Sequence, residues 1–336
     1  MLYRLLLLLM LALTACTFQP KGKIITVTGD ISPDDMGLCL EHEHILVDFT
    51  RAENNEPEAY TLEEAVGKVL PYLNELKAHG VKTFVECTPM YVGRDVNLLK
   101  RLSEETGIQI LTNTGFYGAQ NNRFIPSHIL LMSPEAIARF WIAEFEQGIE
   151  GSGIKPGFIK IGVDRKPLSE FHATLARAAA ITHKATGLTI MAHTGPAVGA
   201  FQQLDLLKEE GVSPEAFIWT HASDEKNPEK LIRIAKQGAW ISLDKYGWDE
   251  ACEQEYPELL QRFKNEGLLN KVLISHDAGW FDPGQPEQAF KPYTPIFETL
   301  VPRLKELGFS DDDLTRILVS NPAEVFTVKK RLIPNH

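Results

Sequence analysis

Short apolar runs alternate with helical segments along the sequence, and this alternation constrains the fold more than any other feature. From residue 36 onward there are eight such runs: GLCLEHEHILV, VKTFVECT, IQILTNTG, GFIKIGV, LTIMAHT, AFIWTHA, AWISLD and KVLISHD. The segments between them carry apolar residues three and four positions apart, which is typical of helices that pack on a core. The pattern therefore predicts eight strand–helix units in sequence.

No proline- or serine-rich linker divides these units between residues 36 and 277. We therefore predict one α/β domain, a (β/α)8 TIM barrel over residues 29–328, followed by a C-terminal tail at 329–336. A doubly wound open sheet is the structural alternative. That fold usually carries a glycine-rich phosphate loop after its first strand, and GLCLEHEHIL contains no such loop.

The composition excludes one class of partner. The chain has 336 residues, 44% of them hydrophobic, and a formal net charge of −11. Binding to nucleic acid requires a basic face that neutralises phosphates, so we expect no nucleic-acid partner.

The N-terminus, MLYRLLLLLMLALTACTFQP, has the pattern of an export signal. Its nine apolar residues, Leu5 to Leu13, are too few to cross a bilayer, which takes about 20. The stretch that ends at Cys16 resembles the bacterial lipobox. We expect a lipoprotein signal peptide at 1–15, lipidation of Cys16 and a tether at 16–28; the alternative is a plain secretory signal with an incidental cysteine. Either interpretation predicts export. The lipoprotein interpretation, which we expect, predicts a location in the cell envelope, on the periplasmic or outer-membrane face, with contact to the membrane only through the lipid anchor.

Side chains that can bind metals recur at the ends of the predicted strands. They are His42, His44, Lys160, His193, His221 and Asp277. The two histidines of the first strand are two positions apart, so both point to the same face. The later residues are separated by 33, 28 and 56 positions, which correspond to one, one and two strand–helix units. In a barrel such residues meet at the C-terminal ends of the strands.

A single histidine in a strand is more often a core residue than a ligand. Six polar residues at one height are different, because burying them without a metal would be costly. Imidazole and carboxylate are suitable ligands for zinc or a similar divalent ion. Lys160 is unusual, since an ammonium group repels cations and is expensive in an apolar strand; it must be neutral, distant or chemically converted. We expect Glu43, between the two histidines, to point outward as a solvated or salt-bridged residue.

Short motifs along nearly the whole mature chain, from about Gly29 to Val328, carry a family resemblance. They are Glu41-His-Glu-His44, Gly93-Arg-Asp95, Phe158-Ile-Lys-Ile161, Ala192-His-Thr194, Leu243-Asp-Lys-Tyr-Gly247, Ser275-His-Asp277 and Asn321-Pro-Ala323. Together with the strand-end residues, they resemble the phosphotriesterase family of the amidohydrolase superfamily, including its lactonases.

This resemblance implies a binuclear metal centre with two divalent ions, of which zinc is the expected one. It implies that His42, His44 and Asp277 hold the more buried metal and that His193 and His221 hold the outer one. Lys160 would bridge them as a carbamate formed with CO2, an anion that removes the electrostatic objection to a lysine. A hydroxide shared by the metals would attack the substrate, with Asp277 as the proton acceptor.

The loops after the strands are expected to bind the substrate. Tyr117 resembles the lactonase tyrosine beside the bridging water, and Lys245 stands where lactonases usually carry arginine. Trp280 belongs to a lid candidate rich in glycine and proline, residues 278–286. Trp248, in the loop after the seventh strand, is a further candidate. For Trp280 and Phe281 in the lid candidate, packing around the loop is as good an interpretation as contact with the substrate.

Three functions fit the sequence. The leading one is a metal-dependent hydrolase of a small ester, lactone or phosphotriester. The second is an amidohydrolase that cleaves a C–N bond, and the third is a non-catalytic binding lipoprotein of the envelope. The complete ligand set argues against the third, and the resemblance leaves a homodimer open. Cys39 and Cys87 are expected to be buried free thiols, with a bridge between them as the alternative.

Overall fold

The computed structural model of the protein describes residues 22–49, 60–285 and 287–334. The predicted signal peptide, Cys16 and the first part of the predicted tether lie outside the described residues. The described part begins with an antiparallel hairpin of β1 (Ile24–Thr26) and β2 (Gly29–Ile31). The Val27 amide donates to the Ile110 carbonyl at 2.8 Å, so residues that we assigned to the tether pack on the folded domain. At the other end, the Ile333 amide donates to Gly211 at 3.0 Å.

Within the described residues, eight parallel strand positions follow one another in chain order. They are β3 (Leu38–Leu46), β4 (Val81–Glu86), β5 (Gln109–Leu111) continued by β6 (Asn113–Thr114), β7 (Phe158–Gly162), β8 (Thr189–His193), β9 (Phe217–Thr220), β10 (Trp240–Leu243) and β11 (Val272–Ile274). Each pairs in parallel with the next one along the chain from β3 to β5 and from β6 to β11. The third position is interrupted only at Thr112, between β5 and β6.

Helices connect the strands on the outside. They are α1 (Leu62–Ala78), α2 (Val96–Thr106), α3 (Pro134–Gln147), α4 (Glu170–Thr186), α5 (Ala197–Glu209), α6 (Pro228–Ala235), α7 (Glu250–Asn265), α8 (Val301–Glu306), α9 (Asp311–Thr315) and α10 (Asn321–Phe326). Two π-helical turns, Ile296–Leu300 and Arg316–Ser320, precede α8 and α10. Local capping defines the helix starts; for example, Thr61 and Glu64 form a capping box at α1, which satisfies two amide groups that helix geometry leaves unpaired.

The last strand lies beside the first and completes the ring. The His42 amide donates to Ser275 Oγ at 3.0 Å, and the Asp277 amide donates to the His42 carbonyl at 3.1 Å. A short strand after β11, β12 (Gly279–Phe281), then pairs in parallel with β3. The predicted (β/α)8 barrel is therefore confirmed.

Apolar side chains fill the space between strands and helices, and a second apolar cluster lies inside the ring around residues such as Phe158, Met191 and Trp240. Cys39 and Cys87 are buried free thiols, as expected. In the part of the chain that the structure describes, no helix has the length and apolar character needed to span a membrane.

Candidate metal centre

The six predicted metal ligands lie together at the C-terminal ends of the barrel strands and line one cavity. His42 and His44 are in β3, Lys160 is in β7, and His193 is the last residue of β8. His221 and Asp277 follow β9 and β11. Both have a left-handed backbone, with φ of 58° and 52°. Such a conformation is uncommon for residues other than glycine and clusters at functional sites.

Three ligand groups of the first and last strands face one another. Asp277 Oδ1 lies 3.0 Å from His44 Nε2 and 3.6 Å from His42 Nε2. Each of these residues offers a ligand atom, and these atoms all lie within 4.8 Å of one another. Two imidazole nitrogens and a carboxylate oxygen at this spacing form a donor set that suits a divalent cation such as zinc.

A second pair of imidazoles lies next to the first group, with the His221 ring centroid 5.2 Å from that of His42. His221 Nε2 lies 2.7 Å from His193 Nδ1, and the two rings meet edge to face. On its other side, His193 Nε2 is 3.3 Å from the Tyr117 hydroxyl. The two facing nitrogens of this pair can share one proton or bind one cation.

Lys160 lies between the two histidine groups. Its side chain is buried, with the residue 2% exposed, and its Nζ is 3.1 Å from His42 Nε2. Among the described residues, no carboxylate forms an ion pair with this lysine. A buried ammonium without an acidic partner is energetically unfavourable.

A buried carboxylate, Asp244, orients two of the histidines, and the sequence analysis missed it as a site residue. Asp244 Oδ2 is 2.8 Å from His42 Nδ1, and Oδ1 is 2.9 Å from His221 Nδ1. These contacts leave Nε2 of each ring directed into the cavity. Carboxylates hold metal-binding histidines in this way in many zinc sites. The signal was present, because Asp244 ends the predicted strand AWISLD.

The surroundings lower the pKa of two imidazoles, those of His42 and His193, and that of the Asp277 carboxylate. Burial and the charge of Lys160 lower the pKa of His42 to about 3, although Asp244 opposes them. Burial and the neighbouring His221 lower the pKa of His193 well below its ordinary value. Burial raises the pKa of Asp277, but the hydrogen bond from His44 and the charges of His42 and His221 bring it below its ordinary value. Neutral imidazole and ionised carboxylate are the forms that bind metals.

His44 is held by a separate set of partners. Its Nδ1 lies 2.7 Å from Thr88 Oγ1. The buried Glu86 carboxylate accepts from the amide of Thr88 at 3.2 Å and from that of Ile45 at 3.3 Å. Burial raises the pKa of Glu86 to about 6. These residues also escaped the sequence analysis, since nothing in VKTFVECT distinguishes Glu86 from an exposed strand end.

Glu43 is not solvated, so that part of the expectation is wrong. The residue is 0% exposed, and its carboxylate accepts hydrogen bonds from Ser275 Oγ, the His276 amide and the Ala278 amide at 2.7, 3.0 and 2.9 Å. His276 Nδ1 lies 2.7 Å from Glu43 Oε1, and His276 Nε2 accepts from the Ile296 amide at 3.1 Å, so this contact is a hydrogen bond donated by Nδ1 and not a salt bridge. The physical reason is that the outer face of a barrel strand is covered by helices and is as dry as the inner one.

The four predicted substrate-binding residues divide into two groups. Tyr117 and Trp280 line the cavity together with apolar residues such as Val47, Phe49 and Val92. Lys245 and Trp248 do not line it. The Lys245 ammonium forms an ion pair with Asp224 at 2.8 Å, and the Trp248 ring packs 6.0 Å from the Trp280 ring. The cavity is thus apolar above and polar at its floor, a common arrangement for a small-molecule site.

The residues present fit a metal cofactor. Their histidine and aspartate groups are compatible with a binuclear centre, because His42, His44 and Asp277 form one donor set and His193 and His221 form an adjacent pair. Asp244 and Thr88 hold three of the rings with the ligating nitrogen inward.

Comparison with known proteins places this geometry in a family. The profile of the phosphotriesterase family matches residues 22–326. An aryldialkylphosphatase of Saccharolobus solfataricus is 31% identical over 307 residues, which cover 88% of this chain and 97% of the relative. The human N-acetyltaurine hydrolase is 26% identical and covers 92% of this chain and 99% of its own. The structure of an organophosphorus hydrolase from Deinococcus radiodurans superimposes with a TM-score of 0.81 at 25% identity, covering 90% of this chain and 96% of the other.

The barrel, the convergent histidines and aspartate, and these matches lead to one assignment. This chain belongs to the phosphotriesterase family and is a metal-dependent hydrolase.

Proposed function

We propose that the enzyme hydrolyses an ester, lactone or phosphotriester bond of a small molecule, with a binuclear centre held by the six strand-end residues. The observation that carries the proposal is their convergence on the floor of one cavity whose upper walls are apolar. Such walls suit an uncharged acyl or aryl group placed over the reacting bond.

His42, His44 and Asp277 would hold one cation, His193 and His221 the other, and Lys160 would lie between them as a carbamate. When bound, two divalent ions, zinc in our proposal, would activate water and polarise the carbonyl or phosphoryl oxygen of the substrate. The support for the carbamate is the burial of Lys160 beside His42 without an acidic partner among the described residues. Carboxylation turns the lysine into an anion, which removes the cost of a buried ammonium.

Asp277 is the proposed proton acceptor. Its carboxylate is buried, and the hydrogen bond from His44 holds it in position while the surrounding imidazoles favour the ionised form. An ionised carboxylate on the cavity floor can receive a proton from water as the substrate is attacked. No group in this arrangement needs to form a covalent intermediate with the substrate.

Tyr117 is the proposed positioning residue on the opposite wall. Its hydroxyl lies 3.3 Å from His193 Nε2, and its ring packs edge to face on that histidine. Burial raises the pKa of Tyr117 above its ordinary value, so the phenol stays protonated. It can therefore donate a hydrogen bond to a substrate oxygen that enters beside His193.

The test is an activity panel on the purified mature protein, reconstituted with zinc or cobalt in the presence of bicarbonate. The substrates are lactones, aryl esters, phosphotriesters and N-acyl amides at matched concentrations. We expect turnover of at least one ester-type substrate that requires the metal. A variant with both His193 and His221 changed to alanine is the negative control. Activity confined to the amides would overturn the ester assignment.

Cleavage of an amide is the second candidate, and a specific observation favours it. Relatives from human and Xenopus tropicalis that are 26% and 27% identical are N-acetyltaurine hydrolases. The same residues would serve, because attack on an amide carbonyl has the same requirements apart from the poorer leaving group. The relative kcat/KM for matched ester and amide pairs in the panel decides between the two.

We also propose that the protein is exported and held in the cell envelope by a lipid on Cys16. Support comes from the sequence around that cysteine, with an arginine before nine apolar residues and small residues at the cleavage position. Metabolic labelling with a fatty-acid analogue and cell fractionation test this. The native chain should be labelled and should sediment with membranes, whereas the Cys16→Ser variant should be unlabelled and should stay in the soluble fraction. If the native chain is soluble and unlabelled, the lipid anchor is contradicted and a plain secretory signal is the remaining interpretation.

A further inference from the structure

One lysine contacts Trp280, a residue of the cavity wall, and a second aromatic ring, and it has no acidic partner among the described residues. The Lys291 ammonium lies 3.4 Å from the centroid of the Trp248 ring and 5.2 Å from that of Trp280. Within the described residues it forms no ion pair and no side-chain hydrogen bond. Its positive charge is therefore held in place by contact with the ring faces and is not neutralised by a neighbouring carboxylate.

The rings that hold Lys291 are themselves fixed to the metal-binding segment. The Trp248 indole N–H donates to the His276 carbonyl at 2.6 Å, and that of Trp280 donates to the Asp277 carbonyl at 3.1 Å. The backbone of Lys291 pairs with Gly279 through two hydrogen bonds of 3.1 and 3.2 Å. The ammonium group is thus positioned by contacts with the segment that supplies the proton acceptor.

Lys291 is adjacent to the cavity through Trp280. That ring lines the cavity and meets the His44 ring edge to face at 5.6 Å. Burial lowers the pKa of Lys291, and the charge of Asp277 opposes this shift.

The nearby Lys245 differs from Lys291 in one decisive respect. Its ammonium is 2.8 and 2.9 Å from the two carboxylate oxygens of Asp224, which also contacts Arg165, so Lys245 belongs to an ion-pair network that Lys291 lacks among the described residues. In a chain with a formal net charge of −11, a cation without an ion-pair partner beside the cavity wall is a local site of attraction for anions.

We propose that Lys291 is a specificity-determining residue that binds an anionic group, a carboxylate or a sulfonate, at the end of the substrate remote from the scissile bond. The proposal rests on the proposed hydrolytic function and adds the substrate class: small esters or amides with one terminal oxyanion. The apolar walls receive the part of the substrate between the two ends, and Lys291 selects the charged end as a point charge.

A purely structural role for the lysine is the alternative, and the chain contains a matched control for it. The Lys271 ammonium lies 4.4 Å from the centroid of the Trp240 ring. Trp240 begins strand β10, at the end of the barrel opposite the metal centre. Lys271→Met therefore removes the same type of cation–aromatic contact far from the cavity.

The experiment compares the 4-nitrophenyl monoester of glutaric acid, which has a free carboxylate, with its neutral methyl ester. The 4-nitrophenyl ester of 4-sulfobutanoic acid provides the sulfonate arm. For Lys291→Met we expect KM for the anionic esters to rise about tenfold or more, with KM for the neutral ester within about twofold. Lys291→Arg should restore most of the preference, and Lys271→Met should keep the native values. The arm with the larger loss in Lys291→Met identifies the preferred oxyanion.

Two outcomes overturn the inference while the proposed function stands. One is hydrolysis of the neutral ester by the native protein with no preference for either anion. The other is an equal loss on anionic and neutral esters in Lys291→Met. If the native protein hydrolyses none of these esters, the proposed ester hydrolysis fails for this class, and binding then decides the inference. In that case the affinity for monomethyl glutarate is measured by calorimetry. The native protein should bind it at least about fivefold more tightly than Lys291→Met does. Equal affinities would overturn the inference.

Discussion

Asp244 Oδ2 lies 2.8 Å from Nδ1 of His42, and this contact fixes which nitrogen of the ring faces the cavity. The other oxygen of the same carboxylate does the same for His221 at 2.9 Å. One residue therefore orients ligands from both sides of the proposed centre.

The first prediction follows from this contact. Asp244→Asn keeps the shape of the side chain but removes its charge and one acceptor. We expect affinity for zinc to fall about 10- to 100-fold, measured by competition with a chromophoric chelator. Asp205→Asn, at an exposed position on α5, is the control and should keep the native affinity. An unchanged affinity in Asp244→Asn would show that the histidines are oriented without it.

The second prediction concerns proton transfer. Asp277→Asn retains an oxygen near His44 and His42, but an amide cannot accept the proton from water. We expect turnover to fall at least about 100-fold, measured on the best substrate of the panel with bound metal quantified in the same samples. Full turnover by Asp277→Asn with its metals bound would remove the aspartate from this role.

The third prediction concerns stability. Glu43→Ala leaves the donors on Ser275, His276 and Ala278 buried without their common acceptor. Losing one member of a buried charged network is costly, so the free energy of unfolding should fall by about 3 kcal/mol or more. Urea denaturation of the metal-free protein measures this. The exposed Glu146 serves as the control, and Glu146→Ala should stay within about 0.5 kcal/mol of the native value. A similar result for Glu43→Ala would contradict its structural role.

The fourth prediction compares two glycines with a left-handed backbone. Gly279 has φ of 93° and Gly308 has φ of 83°. A Cβ at Gly308 meets no atom within 4 Å, whereas a Cβ at Gly279 would collide with the His44 carbonyl and the Tyr293 hydroxyl. Gly308→Ala should therefore cost only about 1–2 kcal/mol of backbone strain and keep its metals.

Gly279→Ala should cost more and should also lose metal, because relief of the collision moves His44. Thermal unfolding and metal analysis of both variants separate strain from steric displacement. Equal metal content in the two variants would show that the close approach of Gly279 to His44 does not position the ligand.

The sequence predicted the barrel because eight apolar runs alternate with helical segments along the chain. It also predicted the positions of His42, Lys160 and Asp277 at one end, because strand ends of a parallel barrel meet there. It did not predict Asp244 or Glu86, since both depend on contacts between strands that are remote in sequence. It misjudged the solvation of Glu43, because alternation along a strand does not say whether the outer face is covered by helices.

The hydrogen bonds between His42 and the segment that contains Ser275 and Asp277 have a consequence for the order of events in folding. Ligands near the start of the domain cannot meet the aspartate until the final strand–helix unit has been made and has docked. Metal binding at the complete site therefore indicates that the ring has closed. A chain truncated before the last unit should contain the four proposed ligand histidines but no assembled centre.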